Sequence, residues 1–153
     1  MKTRTENRSW PPRFRFVVML STLTASCGIL EPDERRVIGV METFANPVLV
    51  EVPDSVAVSV PFAVSVTTYS GFHSCVTRIG DTEVGLEGSI ARVTPYDYRS
   101  ERTEDRACTD ILRIFEHQTT VRFDVPGEAV VVVIGRKWGV DALIEHEFPV
   151  HVF

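Results

Sequence analysis

Short runs in which apolar and polar residues alternate cover most of the chain after residue 34. In the clearest run, Phe62, Val64, Val66 and Thr68 share one side, and the residues between them share the other. Successive side chains of a strand point to opposite faces, so this period of two predicts a half-buried β-strand. Similar runs predict strands at residues 35–43, 48–52, 75–78, 82–86, 89–94, 119–125 and 142–153.

Two further segments differ from simple alternation. Residues 129–134 are continuously apolar and mostly β-branched, which predicts a fully buried central strand. Residues 109–117 fit either a strand or a short helix that begins at Thr109 or Asp110, and we favour the strand.

Glycine and proline mark the ends of these runs. Glu87-Gly88 predicts a two-residue hairpin connection. Pro95 is expected to end the pairing that follows, because proline has no N–H for a ladder. The polar segment 95–107 has both charge signs and no periodicity, so it is predicted to be the longest loop. Pro149 predicts an edge or a bulge in the last strand, and further turns are predicted at 46–47, 80–81, 126–127 and 135–139.

About eight or nine short strands with frequent turn signals, and no long amphipathic helix, predict an all-β domain over residues 35–153. The length and spacing suit an antiparallel two-sheet sandwich of about 7–9 strands. The segment 121–132, a strand, Pro126-Gly127 and another strand, resembles the late corner of bacterial immunoglobulin-like domains. The resemblance implies an immunoglobulin-like sandwich.

The first 28 residues have a different character. A basic start precedes the apolar run 16–23, and the small residues Ala25 and Ser26 precede Cys27. This order is typical of a secretory signal, and the apolar run is too short to span a bilayer. The cysteine after the small residues resembles the lipobox of bacterial lipoproteins.

That resemblance implies that residues 1–26 are a signal peptide and that Cys27 is lipidated. Residues 27–34 would then be a tether, and the domain would be held at a membrane in the extracytoplasmic cell envelope. Two alternatives stay open: an ordinary signal peptide that leaves Cys27 as a free thiol, and a chain that is not exported.

Removing residues 1–26 makes the chain more acidic. This leader holds five of the 16 basic and one of the 21 acidic residues, so the remainder has a net charge of about −9. Nucleic-acid binding requires a basic face, so the sequence argues against a nucleic-acid partner.

With Cys27 assigned to the anchor, Cys75 and Cys108 remain. An exported protein folds where thiols oxidise, which favours a disulfide between them. We expect this bridge to tie the 95–107 loop to the 70–75 loop. A metal site using Cys75 with His73, or a redox pair, is the alternative, but metal ligands at the usual close spacing are missing.

The sequence shows no catalytic constellation. The four histidines are scattered along it, and we expect them to be exposed or at a sheet edge. It has no G-x-S-x-G motif and no carboxylate pair that indicates a cleft. We therefore expect no enzyme activity, no cofactor and no metal.

The two predicted loops contain the best candidates for binding. Tyrosine and arginine anchor many protein interfaces, and loops on a rigid sandwich often bind partners. The tyrosines could instead simply cover the open end of the sandwich. The candidate binding residues are Phe72, His73, Tyr96, Tyr98, Arg99 and Arg102.

The expected function is a non-catalytic binding or structural module of the cell envelope, with an envelope protein or a glycan as partner. The alternative is an accessory subunit or inhibitor of an envelope enzyme that acts through the 95–107 loop.

Overall fold

The structure is a computed structural model and describes residues 34–70, 75–100, 111–140 and 142–153. These residues form ten strands and no helix, so the predicted all-β class is confirmed. Within the same residues, no helix could cross a membrane. The strands are β1 (Glu34–Ile38), β2 (Val40–Glu42), β3 (Val50–Glu51), β4 (Ser55–Val56), β5 (Phe62–Tyr69), β6 (Val76–Glu87), β7 (Ile90–Ser100), β8 (Ile114–Val121), β9 (Gly127–Lys137) and β10 (Leu143–Val152).

β5 follows the alternation of its sequence. Val64, Val66 and Thr68 are all at most 1% exposed, which confirms the predicted inward side. Tyr69 belongs to the opposite side but is also buried, and its hydroxyl donates a hydrogen bond to the carbonyl oxygen of Pro47 at 3.1 Å.

β6 and β7 form the predicted hairpin. Glu87 pairs with Ile90, so the connecting residues are Gly88 and Ser89, one position later than expected. Gly88 has a φ of +62°, in the left-handed region where a Cβ atom is unfavourable.

Both strands of this hairpin are longer than predicted. β6 runs through the expected turn at Gly80-Asp81, and β7 runs through Pro95 as far as Ser100. The expected turn in β6 and Pro95 in β7 lie next to each other in the sheet. The pairing register shifts between Ile79 and Thr82, and Thr82 is the residue opposite Pro95. An irregularity in the ladder tolerates a residue without an N–H. The predicted turn at 80–81 and the predicted start of a loop at 95 are therefore wrong.

Other strand boundaries also differ from the predictions. β8 is a strand from Ile114 onward, as favoured, whereas residues 109 and 110 lie outside the described residues. β8 ends at Val121, so the predicted strand 119–125 is too long. β9 reaches Lys137, so the predicted turn 135–139 begins too early. The strand predicted at 48–52 shrinks to Val50–Glu51.

The strands are hydrogen-bonded in the order β1-β7-β9-β2-β5-β3, with β6 on β7, β8 on β5, β10 on β9 and β4 on β10. The pairs β7–β9, β2–β9 and β4–β10 are parallel. The expectation of an entirely antiparallel arrangement is therefore wrong. Parallel strands must be joined by a crossover connection. Between β7 and β9 this connection includes β8, which pairs with β5.

At Gly39 the chain stops pairing with β7 and begins to pair with β9. Its N–H donates to the carbonyl oxygen of Pro95, and its own carbonyl oxygen accepts from the N–H of Arg136, both at 2.9 Å. β1 is antiparallel to β7 and β2 is parallel to β9, so the chain changes its pairing partner here. A Cβ atom at position 39 would lie 2.5 Å from Cγ2 of Thr68, so glycine is required.

β9 lies at the centre of the core. It pairs with β7, β2 and β10, which confirms the predicted central position. Val131 and Val133 are fully buried, but Val130 and Ile134 are only half-buried, so the expectation of a fully buried strand is wrong. Pro149 lies opposite Val130 in β10. Among the described residues, the other edge of β10 is paired only at His151 and Val152, so Pro149 sits on an edge as predicted.

Candidate functional site

β7 presents polar side chains on both of its faces. Tyr96 and Tyr98 are half-buried on the outer face, whereas Asp97 between them points inward and is 1% exposed. The alternation of a strand produces this separation. One strand therefore contributes both to the surface and to the interior.

On the outer face, two arginines lie over two tyrosine rings. The Arg36 Cζ atom is 3.4 Å from the ring centroid of Tyr96, and the Arg78 Cζ atom is 3.7 Å from that of Tyr98. Both distances are within the range of cation–π contacts. Arg36 comes from β1 and Arg78 from β6, the two strands on either side of this end of β7. We call these four residues the arginine–tyrosine face.

Carboxylates fix the Arg36 guanidinium in this position. Its Nε and Nη2 atoms donate to the two oxygens of Asp81 at 2.9 Å each, and Nη2 also donates to Glu83 at 2.7 Å. The Tyr96 hydroxyl donates to the other oxygen of Glu83 at 3.2 Å. The hydrogen bond from Arg36 holds the pKa of Asp81 below its usual value, so this carboxylate is ionised at neutral pH.

Arg78 is fixed in a similar way. Its Nε atom donates to Glu34 at 2.8 Å, and the Thr77 hydroxyl donates to the other oxygen of Glu34 at 2.8 Å. The pKa of Glu34 is lowered, first by the Thr77 hydrogen bond and then by Arg78. Carboxylates of the chain itself therefore hold both guanidinium groups over their rings.

An open cleft of about 290 Å³ begins beside this face. β7 and β9 pair only over residues 90–93 and 130–133; beyond them β1 pairs with β7, and β2 pairs with β9. The cleft opens where these strands separate. Its lining contains three arginines, one tyrosine and four apolar residues: Arg35, Arg36, Val37, Ile38, Tyr96, Arg136, Ala142 and Leu143.

The structure changes the position of the sequence-predicted binding residues. Tyr96, Tyr98 and Arg99 lie in β7 and not in a loop. Phe72, His73 and Arg102 lie outside the described residues, as do Cys27 and Cys108.

The described ends of the two predicted loops are adjacent. The N–H of Ser100 donates to the carbonyl oxygen of Cys75 at 2.9 Å, and the N–H of Ser70 donates to that of Arg113 at 2.9 Å. This proximity agrees with a bridge between the loops. The Cys75–Cys108 disulfide stays a prediction.

A buried polar cluster on the inner side was missed by the sequence analysis. Thr68 of β5, Asp97 of β7 and His117 of β8 are each at most 2% exposed. The Thr68 hydroxyl donates to Asp97 Oδ2 at 2.8 Å, and His117 Nε2 lies 3.2 Å from Asp97 Oδ1 and 3.0 Å from Thr68 Oγ1. The Thr82 hydroxyl of β6 lies 3.3 Å from His117 Nδ1. We call these four residues the buried cluster.

The hydrogen bonds of the cluster are mutually consistent. The Thr68 hydroxyl hydrogen is used on Asp97, so the Thr68 oxygen can only accept from His117 Nε2–H. In the neutral imidazole, Nδ1 then accepts from Thr82. The expectation that the histidines are exposed or at an edge is wrong for His117, because a carboxylate and two hydroxyls satisfy both of its nitrogens inside the protein.

The cluster contains a hydroxyl, an imidazole and a carboxylate, but a substrate cannot reach it. Thr68 is 0% exposed, whereas a nucleophile must contact the group that it attacks. The cluster therefore joins strands and does not form a hydrolytic site. The described residues also contain no group of three or more histidine, cysteine, aspartate or glutamate residues that could hold a metal ion.

Comparison of the chain with protein-family models, with curated protein sequences and with solved structures finds no significant match.

Proposed function

We propose that the chain is a lipid-anchored module of the cell envelope that binds a protein partner through the arginine–tyrosine face and has no catalytic role. The lipobox-like segment that ends at Cys27 supports the location. The lack of a catalytic motif in the sequence and the burial of the Thr68, His117 and Asp97 side chains support a non-catalytic role.

Our proposal for the fold type remains an immunoglobulin-like sandwich. In its support, the β5–β8 and β6–β7 ladders are antiparallel, and each contributes two residues to the buried cluster between them. The Pro126-Gly127 corner also separates β8 from β9, as in the resemblance noted above. The three parallel pairings are the feature in which the chain departs from an antiparallel sandwich.

The arrangement of the arginine–tyrosine face is the observation that supports binding. Tyrosine and arginine are enriched among residues that contribute most to protein interfaces. Here Asp81, Glu83 and Glu34 already hold the arginines, so a partner would immobilise few additional rotamers. The neighbouring cleft can accept a side chain of the partner.

Site-specific photo-crosslinking in the bacterial envelope tests this proposal. A photoreactive residue at Thr94 lies on the outer face of β7, two positions from Tyr96. A matched control at Val125 is 74% exposed and lies between β8 and β9. We expect one discrete protein adduct from position 94 and none from position 125.

The double variant Tyr96→Ala and Tyr98→Ala should abolish the adduct from position 94. An equal set of adducts from both positions, or an adduct that survives the double variant, would contradict the proposal. An adduct that disappears on glycosidase treatment would identify a glycan and would contradict a protein partner.

A further inference from the structure

An aromatic pair of one exposed and one half-buried ring lies at one end of the described sheet. Phe44, just after β2, is 84% exposed and contacts Trp138, just after β9, with ring centroids 4.9 Å apart at 78°. The N–H of Trp138 donates to the carbonyl oxygen of Glu42 at 2.9 Å, which fixes the two segments together. Val140, in the same turn as Trp138, is 49% exposed. We call Phe44, Trp138 and Val140 the aromatic tip.

The aromatic tip lies at the same end as the start of β1. β7 and β9 are parallel, so their carboxyl ends lie at one end of the sheet. β1 is antiparallel to β7, and Glu34 pairs with Ser100, so the chain also begins β1 at that end. The lining of the cleft includes Arg35 of β1 and Leu143 at the start of β10, so the first residues of these two strands lie near each other.

The tether between the proposed anchor and this end is short. Cys27 precedes Glu34 by seven positions. A fully extended chain of that length spans at most about 25 Å. A lipid on Cys27 would therefore keep this end of the domain near the bilayer surface.

Charges at this end also suit a membrane. Arg35 and Arg99 are directly opposite each other in β1 and β7, and both are exposed. Like charges in this position are unfavourable, and within the described residues neither arginine has an ion pair. Anionic headgroups would relieve this repulsion. Tryptophan and phenylalanine favour the region between headgroups and acyl chains, because their rings are apolar and tryptophan also has a polar N–H.

We infer that the aromatic tip inserts into the headgroup region of an anionic bilayer beside the lipid on Cys27. The inference rests on the proposed lipid anchoring. Insertion of the tip would orient the domain so that the arginine–tyrosine face lies beside the membrane and is accessible to a neighbouring envelope protein.

Fluorescence of Trp138 tests the inference in the lipidated chain of residues 27–153. Of the two tryptophans in the sequence, Trp10 lies in the proposed signal peptide, so Trp138 is the only tryptophan of the lipidated chain. The lipidated protein is reconstituted into phosphatidylglycerol–phosphatidylcholine vesicles with and without brominated acyl chains. We expect a blue shift of the emission relative to the lipid-free protein, and loss of intensity with the brominated lipid. Phe44→Ser, an exposed change, should reduce both effects.

A second reporter controls for general proximity to lipid. In the double variant Trp138→Phe, Val125→Trp, the reporter lies near the amino end of β9, opposite the aromatic tip, and should not be quenched. Equal quenching of both reporters would overturn the inference.

Co-sedimentation of the protein with the vesicles distinguishes failure of the proposed lipid anchor from failure of the proposed insertion of the aromatic tip. Protein that sediments with the vesicles while the Trp138 emission stays unchanged overturns the inference and leaves the anchor intact. Protein that does not sediment with them overturns the anchor, and with it the inference.

Discussion

At each face of β7, carboxylate oxygens are hydrogen-bonded to neighbouring side chains, but the inner set is buried and the outer set is exposed. On the inner face, Asp97 contacts an imidazole and a hydroxyl that are at most 2% exposed. On the outer face, Asp81 and Glu83 hold the Arg36 guanidinium, and all three side chains remain at least one-third exposed. Burial decides what each arrangement contributes. Inside, an unpaired polar group has no water to replace its partner, whereas outside water and salt weaken every pair.

This comparison separates stability from binding. The buried cluster connects β5, β6, β7 and β8, so it should matter for folding. The arginine–tyrosine face is fixed in place but accessible, so it should matter for recognition. Substitutions on the two sides of the same strand should therefore have different consequences.

Asp97→Ala should have the largest effect on stability. It leaves His117 Nε2 and the Thr68 hydroxyl without their buried partner. Leaving a buried hydrogen-bonding group without its partner costs about 1–3 kcal/mol, and this substitution affects two such groups. The free energy of unfolding from chemical denaturation measures the change. Tyr98→Ala, on the outer face of the same strand, is the matched control, and an equal loss for both variants would contradict the distinction.

Gly39→Ala should have the second largest effect. The new Cβ atom would lie 2.5 Å from Thr68 Cγ2 and 3.1 Å from Asp97 Oδ2, so the cluster or the backbone between β1 and β2 must shift. Overpacking of this kind costs about 1–3 kcal/mol. Gly85→Ala is the control, because a Cβ atom at position 85 has no neighbour within 4 Å. A thermal midpoint for Gly39→Ala no lower than that of Gly85→Ala would show that the site is not tightly constrained.

The smallest of these effects should be the pH dependence of the stability that the Arg36–Asp81 pair on the outer face contributes. Arg36 lowers the pKa of Asp81, so the stability from this pair is complete above the usual aspartate value of 3.8 and is lost as pH falls through the lowered pKa. We expect the thermal midpoint of Arg36→Met to lie slightly below that of the natural protein at neutral pH, with the gap closing in strong acid.

Added salt should also narrow this gap, because the pair is exposed. A gap that widens toward acid pH would contradict the assignment of Asp81 as the ionised partner of Arg36.

The sequence predicts some parts of the molecule well for a clear reason. The hydrophobic effect alone buries Val64, Val66 and the inward side of the apolar run of β9. The pattern of apolar residues along these strands therefore predicts that they lie in the core. The full length of β7 was not predicted, because Pro95 normally ends a pairing and because the inward residue at position 97 is an aspartate. Its partners Thr68 and His117 are 29 and 20 positions away, and no local pattern connects them.

The candidate site was predicted only in part. Tyr96 and Tyr98 were expected to bind because of their residue type, but they were placed in a loop. Arg36 and Arg78, which lie over their rings, come from strands 42 positions apart along the chain and meet only through pairing with β7. This juxtaposition is a property of the sheet and leaves no signal in the sequence.

The most direct test of the central claim, a lipid-anchored envelope module, is the intact mass of the chain after extraction from bacterial membranes. It is measured for the natural chain and for Cys27→Ala. We predict a mass equal to residues 27–153 plus acyl chains for the natural protein, and no such species for the variant. An unmodified mature chain in the soluble fraction would contradict the account.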